Sequence, residues 1–350
     1  MRESLQIGPL TIEPPLLMAP MAGFTDHAFR QLVRRFGGLG LPATEMICAR
    51  GFAHIQRRGS DAHERLWCVA GEPRPLAVQI WDNDPETMAE VGRRLVEQYR
   101  VSVVDVNFGC PVRDVAQKAQ SGAHLLGRPE RIGEIVARVS AACRPAPVTA
   151  KIRLGRTRDA INAIDVAQAV EGAGGAAITV HGRTADQMYR GSADWNEIAR
   201  IKPRLNRMPL IGNGDLRSPA AVVEAFERYG VDGAMIGRAA LGRPWFFAQA
   251  AAALRGLPIP PEPAISEQRQ LVMDHFRLVV EQHGPAKGTV LMRTFACRYG
   301  QGRVGAREFR RRIAGASTPE DFAAVMDGYF PGGCRAPLEL TPLATIRNVP

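Results

Sequence analysis

Cys110 stands between Gly109 and Pro111, two residues that fix backbone shape, just past the apolar, β-branched run of Val101, Val103, Val104 and Val106. A thiol near its reference pKa of about 8.5 is mostly protonated at neutral pH, so it can serve as an acid as well as a nucleophile. An inert buried thiol is the plainer alternative; the loop position argues against it. Lys151 closes the run Val148-Thr149-Ala150, and a lysine pointing into a buried region needs an anionic partner, for which the N1/O2 edge of a reduced flavin is one candidate. A solvated lysine at a strand end is the competing reading. Gln79 follows Leu76-Ala77-Val78 and offers a donor and an acceptor to a heterocycle edge, while His181 could bond a ring or be a satisfied core histidine. Gly212-Asn213-Gly214-Asp215 and Gly237-Arg238 follow two successive apolar runs. Glycine lets backbone N–H groups approach a phosphate, and Arg238 adds a charge-assisted fork.

Eight short apolar runs must position these residues: 15–19, 43–47, 76–80, 101–106, 148–152, 176–180, 209–211 and 231–236. Helical patterns separate them, among them one capped by Thr25, 85–99, 129–142, 159–171, and one capped by Ser218 with Pro219 at its first position. Strands alternating with helices pair in parallel, and the count of eight predicts a closed (β/α)8 TIM barrel, an α/β fold, over residues 1–255. In that architecture Met21, Glu45, Gln79, Asn107, Cys110, Lys151, His181, Arg183, Asn213, Asp215 and Arg238 share the C-terminal rim. A Pro-rich linker follows at 256–264, then a small all-helical domain over 265–330 and a loosely attached tail at 331–350. The N-terminal stretch reads as a short polar lead. The glycines of 172–177 precede a strand, which excludes a dinucleotide fingerprint.

The chain carries a formal charge of +10 and a pI near 9.8, which suits an acidic partner such as nucleic acid. Much of this charge lies between 286 and 313, where Lys287, Arg293, Arg298, Arg303, Arg307, Arg310, Arg311 and Arg312 face only Glu308, with Phe295 and Tyr299 interleaved as on a nucleic-acid surface. The six cysteines form no C-x-x-C pair and no metal-ligand spacing, so neither a zinc site nor a disulfide framework is expected. No secretory signal and no apolar run of membrane-spanning length is seen, which predicts a cytoplasmic, reducing setting, no membrane contact and a monomer.

Taken together, the motifs resemble the tRNA-dihydrouridine synthase family of FMN enzymes, the bacterial B-type branch most of all. The resemblance rests on Pro20-Met21-Ala22-Gly23-Phe24-Thr25-Asp26, Glu45-Met46, Asn107-Phe108-Gly109-Cys110-Pro111, Lys151-Ile152-Arg153, Val180-His181-Gly182-Arg183-Thr184, Asn213-Gly214-Asp215, Met235-Ile236-Gly237-Arg238 and Gly284-Pro285-Ala286-Lys287-Gly288, and covers roughly residues 10–330. It implies that Pro20, Met21 and Ala22 line an FMN ring, that Gln79, Lys151 and His181 touch its heterocycle, and that Asn213, Gly214, Asp215, Gly237 and Arg238 hold ribityl and phosphate. It further implies that NADPH reduces the flavin, that hydride passes from flavin N5 to C6 of a flipped-out tRNA uracil, and that Cys110 protonates C5 from the opposite face. Asn107 and Arg183 are then expected at the uracil edge, and Lys287 and Arg293 on the tRNA. The chain departs from the family at His124, in a segment that usually holds a small residue, at Thr294, where lysine is common, and at Arg298, where an aromatic is common. The competing expectations are an FMN reductase of a small molecule, similar to dihydroorotate or dihydropyrimidine dehydrogenases, and a non-catalytic tRNA-binding factor.

Overall fold

The computed structural model describes residues 3–57 and 64–330. The expected tail at 331–350, with Cys334, lies outside the described residues. The chain opens not with a loose lead but with an antiparallel hairpin, β1 (Leu5–Ile7) and β2 (Leu10–Ile12), turning at Gly8 with φ +56°. Leu5, Ile7 and Ile12 are buried against Leu17, Leu41, Ala77, Val103, Ile211 and Met235, so the hairpin stoppers the floor of the barrel that follows. Its alternation is only three residues per strand, too short to stand out from a polar lead.

The barrel strands are β3 (Leu16–Met18), β4 (Ile47–Cys48), β5 (Ala77–Trp81), β6 (Val103–Phe108), β7 (Val148–Arg153), β8 (Ala177–His181), β9 (Leu210–Asn213) and β10 (Gly233–Ile236). All eight are parallel, in the order β3-β10-β9-β8-β7-β6-β5-β4. The ring closes through the segment leading into β4, where Leu41 bridges Leu17 and Ala43 bridges Ala77. The predicted strand at 43–47 is therefore mostly a bridged loop, with the regular part displaced to its end. Outside the ring run α1 (His27–Phe36), α2 (Ala49–Arg57), α3 (Pro85–Tyr99), α4 (Pro129–Ala142), α5 (Ala163–Gly172), α6 (Trp195–Ala199), α7 (Pro219–Glu227) and α8 (Phe246–Leu254). Outward residues such as Val78, Ile80, Val104, Val106, Ile152 and Ile178 pack under these helices in one apolar cluster.

Two helix starts differ from expectation. Asp26, not Thr25, caps α1, accepting from Phe29 N at 2.8 Å, because the Thr25 hydroxyl is taken by Met21 N at 3.0 Å. The stretch predicted as a helix from 159 begins with a 3₁₀ turn, Arg158–Ala160, before α5. Ser218 does cap α7, with Pro219 first.

Beyond an irregular Pro-rich stretch, α9 (Ile265–His283), α10 (Pro285–Tyr299), α11 (Ala306–Gly315) and α12 (Pro319–Tyr329) form a helical layer. It sits against the loops after β3 and β10 and against α1. Phe29 lies tilted against His275 and Phe295, with ring centroids 6.1 and 5.8 Å apart, and Phe24 meets Phe295 edge-on at 5.3 Å. Gly242, at φ +77°, lets the loop after β10 touch α10: a Cβ there would lie 2.5 Å from the Arg298 carbonyl. Phe295 and Tyr299, expected on a nucleic-acid surface, are only 2% and 4% exposed and belong to this joint. Periodicity marks their helix but not which side the barrel covers. No helix among the described residues is long and apolar enough to cross a membrane.

Candidate active site

Parallel register sets the site in layers. Gln79, Asp105 and Thr149 are neighbours across β5, β6 and β7; one layer up, Asn107 pairs with Lys151; above that Arg153 pairs with His181, and His181 with Asn213. Side chains two apart on a strand face the same way, so this side of the ring presents a polar column rising from the apolar floor to the C-terminal mouth.

The lowest layer is anchored by Asp105. It accepts from the Thr149 hydroxyl and from Gln79 Nε2, both at 2.6 Å. Burial lifts its pKa to about 6 against those two hydrogen bonds and the Lys151 charge. Gln79 Oε1 then accepts from Asn107 Nδ2 at 2.8 Å, and Asn107 Oδ1 accepts from the backbone N–H groups of Gly109 and Cys110 at 3.0 and 2.9 Å. The Cys110 loop therefore hangs from Asn107, the last residue but one of β6. Gly109 lies flat on β7, where a Cβ would stand 3.3 Å from the Ile152 carbonyl carbon, and Arg153 Nε donates to its carbonyl at 3.0 Å. Burial raises the Cys110 thiol above its ordinary value, more than the Val112 backbone N–H and the Arg153 and Lys151 charges lower it. The thiol is protonated at neutral pH.

Lys151 makes no hydrogen bond or salt bridge with any described residue. Burial, then the nearby Arg153, draw its pKa down to about 8 despite Asp105. His181 is buried and surrounded by Lys151, Arg153, Arg183 and Arg238; burial first and these cations second hold it well below the usual imidazole range, so it is neutral. Its Nε2 lies 3.2 Å from Arg183 Nη1. A guanidinium has no acceptor, so Nε2 accepts and the proton resides on Nδ1.

Arg183 is fully buried and also donates to the Gly191 carbonyl at 2.7 Å and to Asp215 Oδ2 at 2.6 Å. Gly214 runs at φ +126°, where a Cβ would meet Ala193 at 2.6 Å and the His181 ring at 3.0 Å. Asn213 is tied to the Met235 carbonyl at 2.7 Å. Gly237, bare of a side chain, lies against Met21 Sδ, with a Cβ position 3.4 Å away, which joins the loops after β3 and β10. Pro20 and Met21 are half-buried there and Ala22 is exposed.

The structure thus brings Pro20, Met21, Asn107, Cys110, Lys151, His181, Arg183, Asn213, Gly214, Asp215, Gly237 and Arg238 to one rim, with Gln79 below it in the lowest polar layer. Lys287 and Arg293 lie apart from it on α10: Lys287 pairs with Glu64, and Arg293 donates to the Ala316 carbonyl at 2.7 Å. Two neighbours were not singled out from sequence as site residues. Arg153 fastens the Cys110 loop to the Thr184 and Met188 carbonyls, and Tyr189, 57% exposed, lies under Arg238 with 4.4 Å from guanidinium carbon to ring centroid. The Lys-Ile-Arg spacing, two residues along β7, was the available signal for Arg153; nothing local marks Tyr189. No group of three or more His, Cys, Asp or Glu among the described residues could hold a metal ion.

A thiol whose pKa burial raises, an ammonium without a hydrogen bond or salt bridge among the described residues and a neutral imidazole share one mouth, on the C-terminal rim of a TIM-barrel protein. Residues 17–330 match the family described as dihydrouridine synthase (Dus). The chain is 36% identical over 326 residues to the tRNA-dihydrouridine synthase B of Xanthomonas campestris pv. campestris, covering 93% of this chain and 96% of that one. It is 38% identical over 311 residues to the tRNA-dihydrouridine synthase B of Pseudomonas aeruginosa, covering 88% and 90%, and 34% identical over 332 residues to a probable tRNA-dihydrouridine synthase of Mycobacterium tuberculosis H37Rv, covering 93% and 84%. The chain belongs to the dihydrouridine synthase family.

Proposed function

We propose that the protein is a tRNA-dihydrouridine synthase that reduces the C5–C6 double bond of a D-loop uridine in tRNA, with FMN as cofactor and NADPH as reductant. The observation that carries this reading is Lys151, a cation without a protein partner, in the same mouth as a protonated Cys110. An ammonium so placed needs an anionic or electron-rich acceptor. Neutral His181 with its proton on Nδ1 adds a donor to the same region, while Gly214 and Gly237 keep the backbone bare beside Arg238. These features fit a flavin ring with a phosphate tail. When bound, the flavin supplies the hydride for uracil C6, having drawn it from NADPH.

In this reading Pro20, Met21 and Ala22 line the ring, Gln79, Lys151 and His181 bond its heterocycle, and Asn213, Gly214, Gly237 and Arg238 hold ribityl and phosphate, with Asp215 aiming Arg238. Cys110 delivers its proton to C5; a raised thiol pKa keeps that proton available at neutral pH. Asn107 keeps one weak contact, Nδ2 to Met46 Sδ at 3.5 Å, which a uracil carbonyl can replace. Arg183 acts through its neighbours, holding His181 and Asp215 in place. The barrel over 1–255 is the catalytic unit and the helices over 265–330 contact tRNA, with Lys287 exchanging Glu64 for a phosphate and Arg293 beside it.

The test is spectroscopic. The purified protein should be yellow, bleach with NADPH, and be reoxidised by unmodified tRNA but not by free uracil. Cys110→Ala should keep the colour and the NADPH reaction yet lose dihydrouridine formation by about 10²–10⁴-fold. Colourless protein would remove the flavin reading, reoxidation by free uracil would favour a small-molecule reductase, and full modification by Cys110→Ala would refute the proton donor.

A further inference from the structure

The helical layer is not the only cationic flank of the mouth. Loops after β6, β7 and β8 carry Arg113, Arg128, Arg156, Arg158 and Arg190, all exposed, and none has a carboxylate within salt-bridge distance among the described residues. Of the acids in these loops, Asp114 pairs with Lys118 at 2.7 Å, Asp186 accepts from the Thr184 hydroxyl at 2.5 Å, and Asp194 caps α6. Asp186 and Asp194 are held by neutral donors, so with Glu130 and Asp159 four carboxylates stand against the five arginines, none of them within salt-bridge distance.

The loops form one built ridge. Residues 155–161 are pinched into a projecting turn by the Gly155–Ile161 bridge, at a point where a Cβ on Gly155 would lie 2.0 Å from the Ala160 carbonyl oxygen. Arg156 reaches back over Gly127, and it and Arg128 both depress the pKa of His124 after burial does, which places the three together. Asn162 Nδ2 ties the turn to the Leu126 carbonyl at 2.6 Å. On the other side, Asp186 N donates to the Arg156 carbonyl at 3.1 Å and Arg190 Nη2 to the Asp186 carbonyl at 2.9 Å. In the ring order β3-β10-β9-β8-β7-β6-β5-β4, the helical layer sits at β3 and β10, so a ridge centred on β7 stands across the mouth from it.

We propose that this ridge is a second phosphodiester-binding surface, so that the substrate RNA lies across the mouth and is held on both flanks. The proposal rests on the tRNA reading given above. Arginines fixed on tied loops and lacking carboxylate partners suit the backbone of a folded RNA, and their cost when empty is low because they stay in water.

The experiment is binding of an unmodified tRNA transcript to flavin-loaded protein at several salt concentrations. The triple variant Arg128→Glu/Arg156→Glu/Arg158→Glu is compared with Arg307→Glu/Arg310→Glu, two exposed residues of α11 without carboxylate partners. The ridge variant should bind at least about tenfold more weakly near 0.1 M salt, with its log-affinity against log-salt slope shallower by about 2–3, while RNA-free oxidation of NADPH is unchanged. If the triple variant does not fold, Arg158→Glu alone should still reduce the slope by about 0.7–0.9. Unchanged affinity and slope in the ridge variants, with weakened binding in the α11 variant, would overturn the ridge and leave the tRNA reading standing. No effect of either set would overturn both.

Discussion

Two carboxylates in this molecule each gather arginines, and they differ in what they leave over. Glu72 is buried and shared by Arg30, itself 1% exposed, by Arg34 at 2.5 Å and by His27 at 3.0 Å. Burial would raise its pKa, but Arg30 and then His27 outweigh that and hold it far below the ordinary carboxylate range. Arg30 is enclosed, Arg34 and His27 are half-buried, and the cluster pins α1 to the loop before β5. Asp215 sits at the rim with φ +51°, bonded tightly on one oxygen by Arg183 and Ala193 N at 2.6 and 2.8 Å, and loosely on the other by Arg217 and Arg238 at 3.3 and 3.4 Å. The inner half of that cluster is structure; the outer half presents two half-held cations to whatever enters the mouth. The same chemistry builds a fastening when closed and a receptor when open on one side.

The sharpest way to break this contrast is Glu72→Ala. It leaves Arg30 buried without its counter-ion and should destabilise the fold by about 3–5 kcal/mol, measured by denaturant unfolding. A loss below about 1 kcal/mol would show that water replaces the carboxylate. The pH sign follows from the lowered folded-state pKa: the stability is fully present above the ordinary carboxylate range and disappears as pH falls through the folded value, so Glu72→Gln should unfold at a higher pH than the parent on acidification. Next, if the proposed cofactor reading holds, Arg238→Ala should keep the parent stability but weaken FMN binding roughly ten- to hundredfold, the worth of one charge-assisted contact. Fluorescence titration of stripped protein reads this, and undiminished affinity would move the phosphate elsewhere. Smallest is Arg217→Ala: with a side chain 74% exposed, it should change stability by less than about 0.5 kcal/mol. A larger loss of stability would mean that both halves of the Asp215 cluster are structural.

The barrel was legible because its strands are short, apolar and regularly spaced, and because Asn107, Cys110, Lys151, His181 and Asn213 sit where such strands end. What escaped depends on pairing across long stretches of chain. Arg30 and Glu72 are 42 residues apart, and an arginine in a helix reads as solvated until its partner is known. Tyr189 and Arg238 meet only because adjacent loops of the ring fold over one another. Phe295 and Tyr299 lie among arginines along the chain, but the helix turns them inward against α1 and α9, and two of those arginines are taken up within the fold, Arg298 over the Phe24 ring and Arg293 on the Ala316 carbonyl. Asp26 displaced Thr25 as a cap because the Thr25 hydroxyl closes a local turn by accepting from Met21 N four residues earlier, which leaves the helix start to its neighbour.

The hydrogen bonds from Thr149 and Gln79 to Asp105, and from Asn107 to Gln79 and on to the Cys110 backbone, have a sense of direction. An ionised Asp105 can only accept, so Gln79 must turn its nitrogen downward and its oxygen upward; Asn107 must then do the same, which presents Oδ1 to the two N–H groups of the thiol's loop. The polarity of the whole line is written at its bottom end, by a buried carboxyl in the lowest polar layer. As pH falls through about 6, that carboxyl takes up a proton, and both amides lose the reason for their orientation. The hold on the thiol's loop thus depends on a carboxyl one layer below the amide that makes it.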